Sequence, residues 1–300
     1  MASREMEGLK KIMIQMMDRG YGARFDGKID PVQLRATIEK AQAGMPVAEG
    51  VEFLHEKYGE MDAELAMPEN PRNDAVIIYI HGGGLVCGNA RTSRGYSSLM
   101  AAETGIPTYA FSYRLAPENP YPAAVDDCFL AYQEIRKKNP GKSFFLIGES
   151  AGAYLSVTTA LRVRDAGLPM PKGVIPYSTV MDLSGSIVRN RKENDDFTVT
   201  VAGMDTLWKM YCSSEQRRDP YVSNCYADFH GMPPMLMAWD RTETLAPDNE
   251  LLAEKLIECG IEVNAKAYDG CFHAFATTGK GTPESAEILQ NTISFIEKHI

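Results

Sequence analysis

The chain has 300 residues, of which 44% are hydrophobic and 24% charged, with a formal net charge of −9. This is an ordinary globular composition, at a length that suits one α/β domain with insertions. The negative balance argues against a nucleic-acid partner and against an anionic membrane surface, and no apolar run approaches the roughly 20 residues of a membrane span.

Residues 5–17 carry Leu9, Ile12, Met13, Met16 and Met17, a spacing that predicts an amphipathic helix. A second helix is predicted to start at Pro31, with Asp30 as its N-cap. From residue 51 the texture changes to alternating strands and helices. The run 75–80 is continuously apolar, as in a strand buried on both faces of a parallel sheet. Further strands are predicted over 108–113, 143–147, 173–177, 235–239 and 263–268, and helices over 121–138, 151–165, 246–259 and 284–298. Such alternation predicts an α/β fold with helices on both faces of the sheet. Residues 182–215 interrupt it with a charged run at 189–196 and an apolar stretch around Leu207, Trp208 and Tyr211. A long insertion between sheet strands is more often a binding element than idle loop. Six cysteines, Cys87, Cys128, Cys212, Cys225, Cys259 and Cys271, lack C-x-x-C spacing, and residues 1–7 show no secretory signal. The expectation is a cytoplasmic protein with reduced thiols and no metal site.

The pentapeptide Gly148-Glu149-Ser150-Ala151-Gly152 follows a predicted strand and opens a predicted helix. In that context G-x-S-x-G is a nucleophile elbow, a strained turn that lifts a serine hydroxyl above the sheet edge. His81-Gly82-Gly83-Gly84 follows the 75–80 strand, and its glycines let backbone amides converge on one space. The amides of Gly83 and Gly84, with that of Ala151, are the expected donors to a tetrahedral oxyanion. His81 itself reads as a residue that fixes the loop.

A serine nucleophile needs a base and a carboxylate, which in this fold follow it in the order acid, then histidine. His230, His273 and His299 lie after Ser150. His299 falls on the last turn of the terminal helix and His230 in a loop entering a strand, whereas His273 follows the 263–268 strand at the expected edge of the sheet. His273 is therefore the candidate base. For the acid, Asp240, Glu243 and Asp248 follow the 235–239 strand, and the residues alone leave Asp240 and Glu243 both open.

Together with Tyr113–Glu118, Pro122, Asp127, Asp219–Ser223, Met232–Pro234 and Phe272–Phe275, these motifs resemble the hormone-sensitive-lipase-like microbial carboxylesterases, a branch of the α/β-hydrolases. The resemblance spans residues 70–300. It implies an α/β-hydrolase fold, with a mostly parallel central sheet flanked by helices and a helical cap. The cap would comprise residues 1–45 and about 182–215, and the catalytic domain residues 46–300. Members carry an acid with a leucine two positions on, about thirty residues before the histidine; Glu243 and Leu245 match this, so the resemblance favours Glu243 over Asp240. Glutamate departs from the usual aspartate there, as do Glu149 and Ala153 at their positions. Arg114 and Asp127 are implied as buttresses of the fold. The implied activity is that of a serine carboxylesterase acting on small, short-acyl esters through a Ser150–Glu243–His273 triad, without metal or organic cofactor. Homodimerisation is a further expectation from the family. Two other readings are compatible with the resemblance: an amidase or a sugar or xenobiotic deacetylase, and a non-catalytic ligand-binding protein on the same fold.

Overall fold

The computed structural model describes residues 1–22, 24–42, 46–189 and 196–300. An eight-stranded sheet is ordered β1-β2-β4-β3-β5-β6-β7-β8. Its strands are β1 (Val51–Tyr58), β2 (Met61–Pro68), β3 (Ala75–Ile80), β4 (Thr108–Phe111), β5 (Ser143–Glu149), β6 (Gly173–Tyr177), β7 (Met235–Asp240) and β8 (Val263–Tyr268). The strands from β4 through β8 are parallel, while β2 pairs antiparallel with both β1 and β4.

Every side chain of β3 is buried, and alternate residues serve opposite layers. Val76, Ile78 and Ile80 join the core under α4 (Ala123–Lys138), α5 (Ala151–Asp165) and α7 (Ala246–Glu258). Ala75, Ile77 and Tyr79 join the core under α3 (Arg94–Thr104) and α8 (Pro283–His299). A strand with two apolar faces can only sit between two helical layers, so its continuous hydrophobicity dictates the sandwich.

The fold is the one expected, but the first sheet edge was not. The β1–β2 hairpin and α3 were not predicted. β1 is charged and only partly buried, so its alternation is weak. α3 carries Gly95, Ser97 and Ser98 and is held by burial of Tyr96, Met100 and Ala101 rather than by helix propensity.

Helix α1 (Arg4–Asp18) forms, but its buried side differs from the predicted stripe. Met6 is fully buried and Leu9 and Met13 pack beside it, while Ile12 and Met16 are 55% and 43% exposed. The helix is anchored across the chain: the Ser3 amide and hydroxyl donate to Glu284 at the start of α8, and Lys10 Nζ donates to the Gly270 carbonyl. Helix α2 (Pro31–Gln42) starts as predicted, the Asp30 carboxylate accepting the amides of Val32 and Gln33. Its Arg35 donates to the carbonyls of Val86 and Ala116 and pairs with Glu118.

Between the first two helices, Phe25 forms a parallel bridge with Val199, just before α6 (Val201–Tyr211). A Cβ at Gly203 would lie 1.8 Å from the Phe25 carbonyl oxygen, so only glycine permits this approach. The predicted charged run falls mostly at 190–195 and the predicted cap boundary at 45, both outside the described residues. Among the described residues no helix is long and apolar enough to cross a membrane.

Candidate active site

Ser150 follows β5 and caps α5 with φ 55° and ψ −121°, a positive-φ conformation that non-glycine residues adopt only under constraint. Its amide donates to the Tyr177 carbonyl at the end of β6. The flanking glycines are steric requirements. A Cβ at Gly148 would sit 2.4 Å from the Gly152 carbonyl oxygen, and one at Gly152 would sit 2.0 Å from that of Ile80. The turn thus locks β5 and α5 against the end of β3.

The His81–Gly84 loop follows β3 beside this turn. Gly83 and Gly84 have φ of 108° and 61°, and the Gly83 carbonyl accepts the amides of Val86 and Cys87. Among the described residues no protein group accepts the amides of Gly83, Gly84 or Ala151. His81 is buried, stacks on Tyr113 at 4.1 Å and has its Nδ1 2.8 Å from the Gly82 carbonyl. That acceptor places the ring proton on Nδ1, and burial pushes the pKa of His81 down to about 4, so the ring is neutral and braces the loop.

Glu149 braces it from the other side. One carboxylate oxygen accepts the Gly82 amide at 2.7 Å and the other accepts the Tyr79 hydroxyl. Burial raises the pKa of Glu149 to about 7 against the opposing effect of those two donors. Nothing in the sequence marked Glu149 for this role beyond its place inside the pentapeptide.

The acid and the histidine meet at the far side of β6. Glu243 follows β7 and His273 follows β8, and His273 Nδ1 lies 3.5 Å from Glu243 Oε2, both side chains being buried. Burial favours the neutral imidazole, but the Glu243 carboxylate outweighs it and His273 lies above its usual pKa. Glu243 is itself raised by burial.

Two side chains absent from the sequence reading complete this half. Ser178 is held at φ 49°; its hydroxyl donates to Glu243 Oε2 at 2.8 Å and accepts the amide of Ala274, the residue after His273, at 3.0 Å. Asn249 on α7 bonds both the amide and the carbonyl of Thr179 and lies 3.4 Å from Glu243 Oε1. Neither has a local signature, because Ser178 joins residues 65 and 96 positions away and Asn249 ties Thr179, 70 positions away, to the acid turn.

The rival acids have other partners. Asp240 accepts the Cys271 amide at 2.7 Å and the amide and hydroxyl of Thr242, so it ties the end of β7 to the histidine loop. Asp248 pairs with buried Arg189. His230 is exposed beside Asp228, and His299 bonds the Phe295 carbonyl on α8. The expected buttress is present, with Arg114 and Asp127 joined through the Arg114 amide and guanidinium.

Above the glycine loop, a Cβ on Gly84 would come within 2.7 Å of Leu207 and 3.3 Å of Phe25. The 196–200 segment leading into α6 reaches the acid turn, where the Thr244 amide donates to Asp196 and the Thr244 hydroxyl donates to the Val199 carbonyl. Phe197 packs against Phe272, next to His273, with ring centroids 5.8 Å apart.

A family model described as the alpha/beta hydrolase fold matches residues 77–277. An esterase of Acinetobacter venetianus is 31% identical over 73% of this chain and 74% of its own length. The chain belongs to the hormone-sensitive-lipase-like family of α/β-hydrolase esterases. An acetyl-hydrolase of Streptomyces hygroscopicus is 27% identical over 99% of this chain and 97% of its own. A crystal structure of a hormone-sensitive lipase from a metagenome library superposes with a TM-score of 0.86 at 29% identity, covering 97% of this chain and 99% of that one.

Proposed function

We propose that this esterase hydrolyses small, short-acyl esters by way of an acyl-enzyme on Ser150. The observation that carries this reading is the meeting of the strained Ser150 turn with three acceptor-free amides, Gly83, Gly84 and Ala151. His273 Nδ1 faces Glu243, which leaves Nε2 to take the Ser150 proton as Oγ attacks the ester carbonyl. The three amides receive the oxyanion, and removing one such donor costs roughly 10²–10³ in rate. The alcohol leaves with the proton held by His273, and water repeats the sequence on the acyl-enzyme. Glu243 stabilises the imidazolium and keeps its own charge.

Leu207 and Phe25 support the short-acyl assignment, because they fill the space that a side chain at Gly84 would enter, beside the amides. We assign them to a cap made from the N-terminal helices and the segment containing α6. The acetyl-hydrolase name of one relative agrees with a small acyl group and also keeps deacetylation of an amine as a second reading.

The test is intact-mass analysis after treatment with a fluorophosphonate, followed by an acyl-length series of p-nitrophenyl esters and a matched anilide. One adduct on the wild type, none on Ser150→Ala, and the highest kcat/KM at two to four acyl carbons are expected. No adduct on folded wild-type protein would favour the binding-protein reading. A maximum at long chains would overturn the substrate class, and faster turnover of the anilide would replace the ester by an amide.

A further inference from the structure

At the end of the sheet away from Ser150, His230 lies in the loop leading into β7, while Glu243 follows the other end of that strand. The six residues of β7 put roughly 20 Å between them. There, Asp228 Oδ1, His230 Nδ1 and Cys259 Sγ converge, all three within 4.8 Å of one another. Oδ1 is 2.6 Å from Nδ1, and Sγ is 3.7 Å from the same nitrogen.

Nδ1 can bond only one of its two neighbours at a time, and solvent serves the other in this exposed turn. If Nδ1–H donates to the carboxylate, the nitrogen has no lone pair for the thiol. If Nδ1 accepts from the thiol, it has no proton for the carboxylate. A cation placed among the three donors satisfies all of them. Tetrahedral zinc bonds of about 2.0 Å to nitrogen and oxygen and about 2.3 Å to sulfur hold such donors roughly 3.3–3.6 Å apart. The sulfur–nitrogen pair, at 3.7 Å, needs to close by about 0.2 Å, the oxygen–nitrogen pair to open by less than about 1 Å, and the oxygen–sulfur pair, within 4.8 Å, to close by at most about 1.3 Å.

The backbone frame is preset. Arg164 donates to the carbonyls of both Asp228 and His230, and the Asp228 carboxylate accepts the His230 amide. The Arg164 charge opposes a cation, but the guanidinium stands behind the turn and shares its charge with Asp165. Cys259 caps the C-terminus of the 13-residue helix α7, whose dipole presents its negative end.

We propose that Asp228, His230 and Cys259 bind one transition-metal cation of the zinc class. A thiolate with an imidazole selects zinc-like ions over calcium or magnesium. Solvent supplies the fourth ligand. On binding, the thiol proton leaves to solvent and the imidazole proton sits on Nε2, so affinity rises with pH. The ion would clamp the loop before β7 to the end of α7, a stabilising role apart from ester hydrolysis. Linear spacing concealed the site, because Cys259 is 29 residues from His230.

Cobalt(II) is the probe, titrated into reduced, chelator-treated protein. The expected result is one equivalent bound, with a thiolate-to-cobalt charge-transfer band that excess zinc removes. Cys259→Ser should lose the band, and His230→Ala should weaken binding by about tenfold or more. Zinc should raise the Tm of the wild type but not of Cys259→Ser. Both variants should keep wild-type ester turnover, which shows that they are folded. The proposal is overturned by the absence of a band at saturating cobalt, or by a band that persists in Cys259→Ser. Binding at several sites without a thiolate signature also overturns it.

Discussion

The two halves of the candidate active site are held in different ways. Around Ser150 the constraints are backbone against backbone: the Gly152 Cα meets the Ile80 carbonyl, the Ser150 amide meets the Tyr177 carbonyl, and Gly148 meets Gly152. Around His273 they are side chains from separate segments, with Ser178, Asn249, Asp240 and Asp196 each bridging to the acid or histidine loop. The first half tolerates almost no added atom at its glycines, and Glu149 and His81 brace its loop from either side. The second admits substitution while relying on a connected set of buried polar groups. Each member makes more than one bond, so deleting it leaves buried partners unsatisfied and costs more than a single hydrogen bond.

Four predictions sharpen this contrast, from the largest effect down. Ser150→Ala should lower kcat by about 10⁴-fold or more at unchanged Tm, measured with a p-nitrophenyl ester. By contrast, Gly152→Ala should yield little folded protein, because its Cβ would lie 2.0 Å from a carbonyl oxygen. A well-folded Gly152→Ala enzyme would break the backbone half of the comparison.

Second, Glu243→Gln should cost roughly 10³–10⁴ in kcat. Asp240→Asn should cost about tenfold or less while lowering the Tm, since Asp240 holds the Cys271 amide and not the imidazole. The reverse ranking would return the acid role to Asp240.

Third, Ser178→Ala should lower kcat about 10–100-fold, the size of a lost hydrogen bond to a charged group. It should also move the pH profile. The His273 pKa lies above 6.5 because of Glu243, and the base must be neutral, so kcat/KM should rise with pH through that raised value. Glu243→Gln should shift this limb to lower pH, as burial is then opposed only by the charges of Asp196 and Glu149.

The smallest effect concerns Glu149. Its folded pKa of about 7 exceeds the ordinary 4.5, so protonation favours the folded state. This contribution is complete below about 4.5 and is lost as pH rises to about 7. Wild type should therefore lose Tm relative to Glu149→Gln across that interval, measured by thermal melts at stepped pH. Parallel Tm curves would remove Glu149 from the loop's support.

The same contrast governs what could be read from the chain. The strand–helix alternation, the pentapeptide and the glycine loop were legible because each is a local rule. Apolar runs mark doubly buried strands, and glycines mark close approaches within a few residues. The β1–β2 hairpin was not legible, since a half-exposed strand such as Glu52–Lys57 carries mixed chemistry. On α1, Ile12 and Met16 belonged to the apolar stripe but not to the buried face, which tertiary contacts through Met6 decided. Ser178 and Asn249 escaped because a buried serine or asparagine has no periodicity. Only family spacing distinguished Glu243 from Asp240 in the sequence, and the two carboxylates differ in whether Cys271 or His273 lies opposite.

Synthesis of the chain places one more constraint on its assembly. The contact that seats α1 joins Ser3 to Glu284, 281 positions apart, and Lys10 waits for Gly270. A chain emerging from the ribosome at about 5–20 residues per second thus makes the α1 segment long before the surface that receives it. During that interval Met6, Leu9 and Met13 lack the surface that buries them, so this segment reaches its place only after residues about 280 positions later have been made.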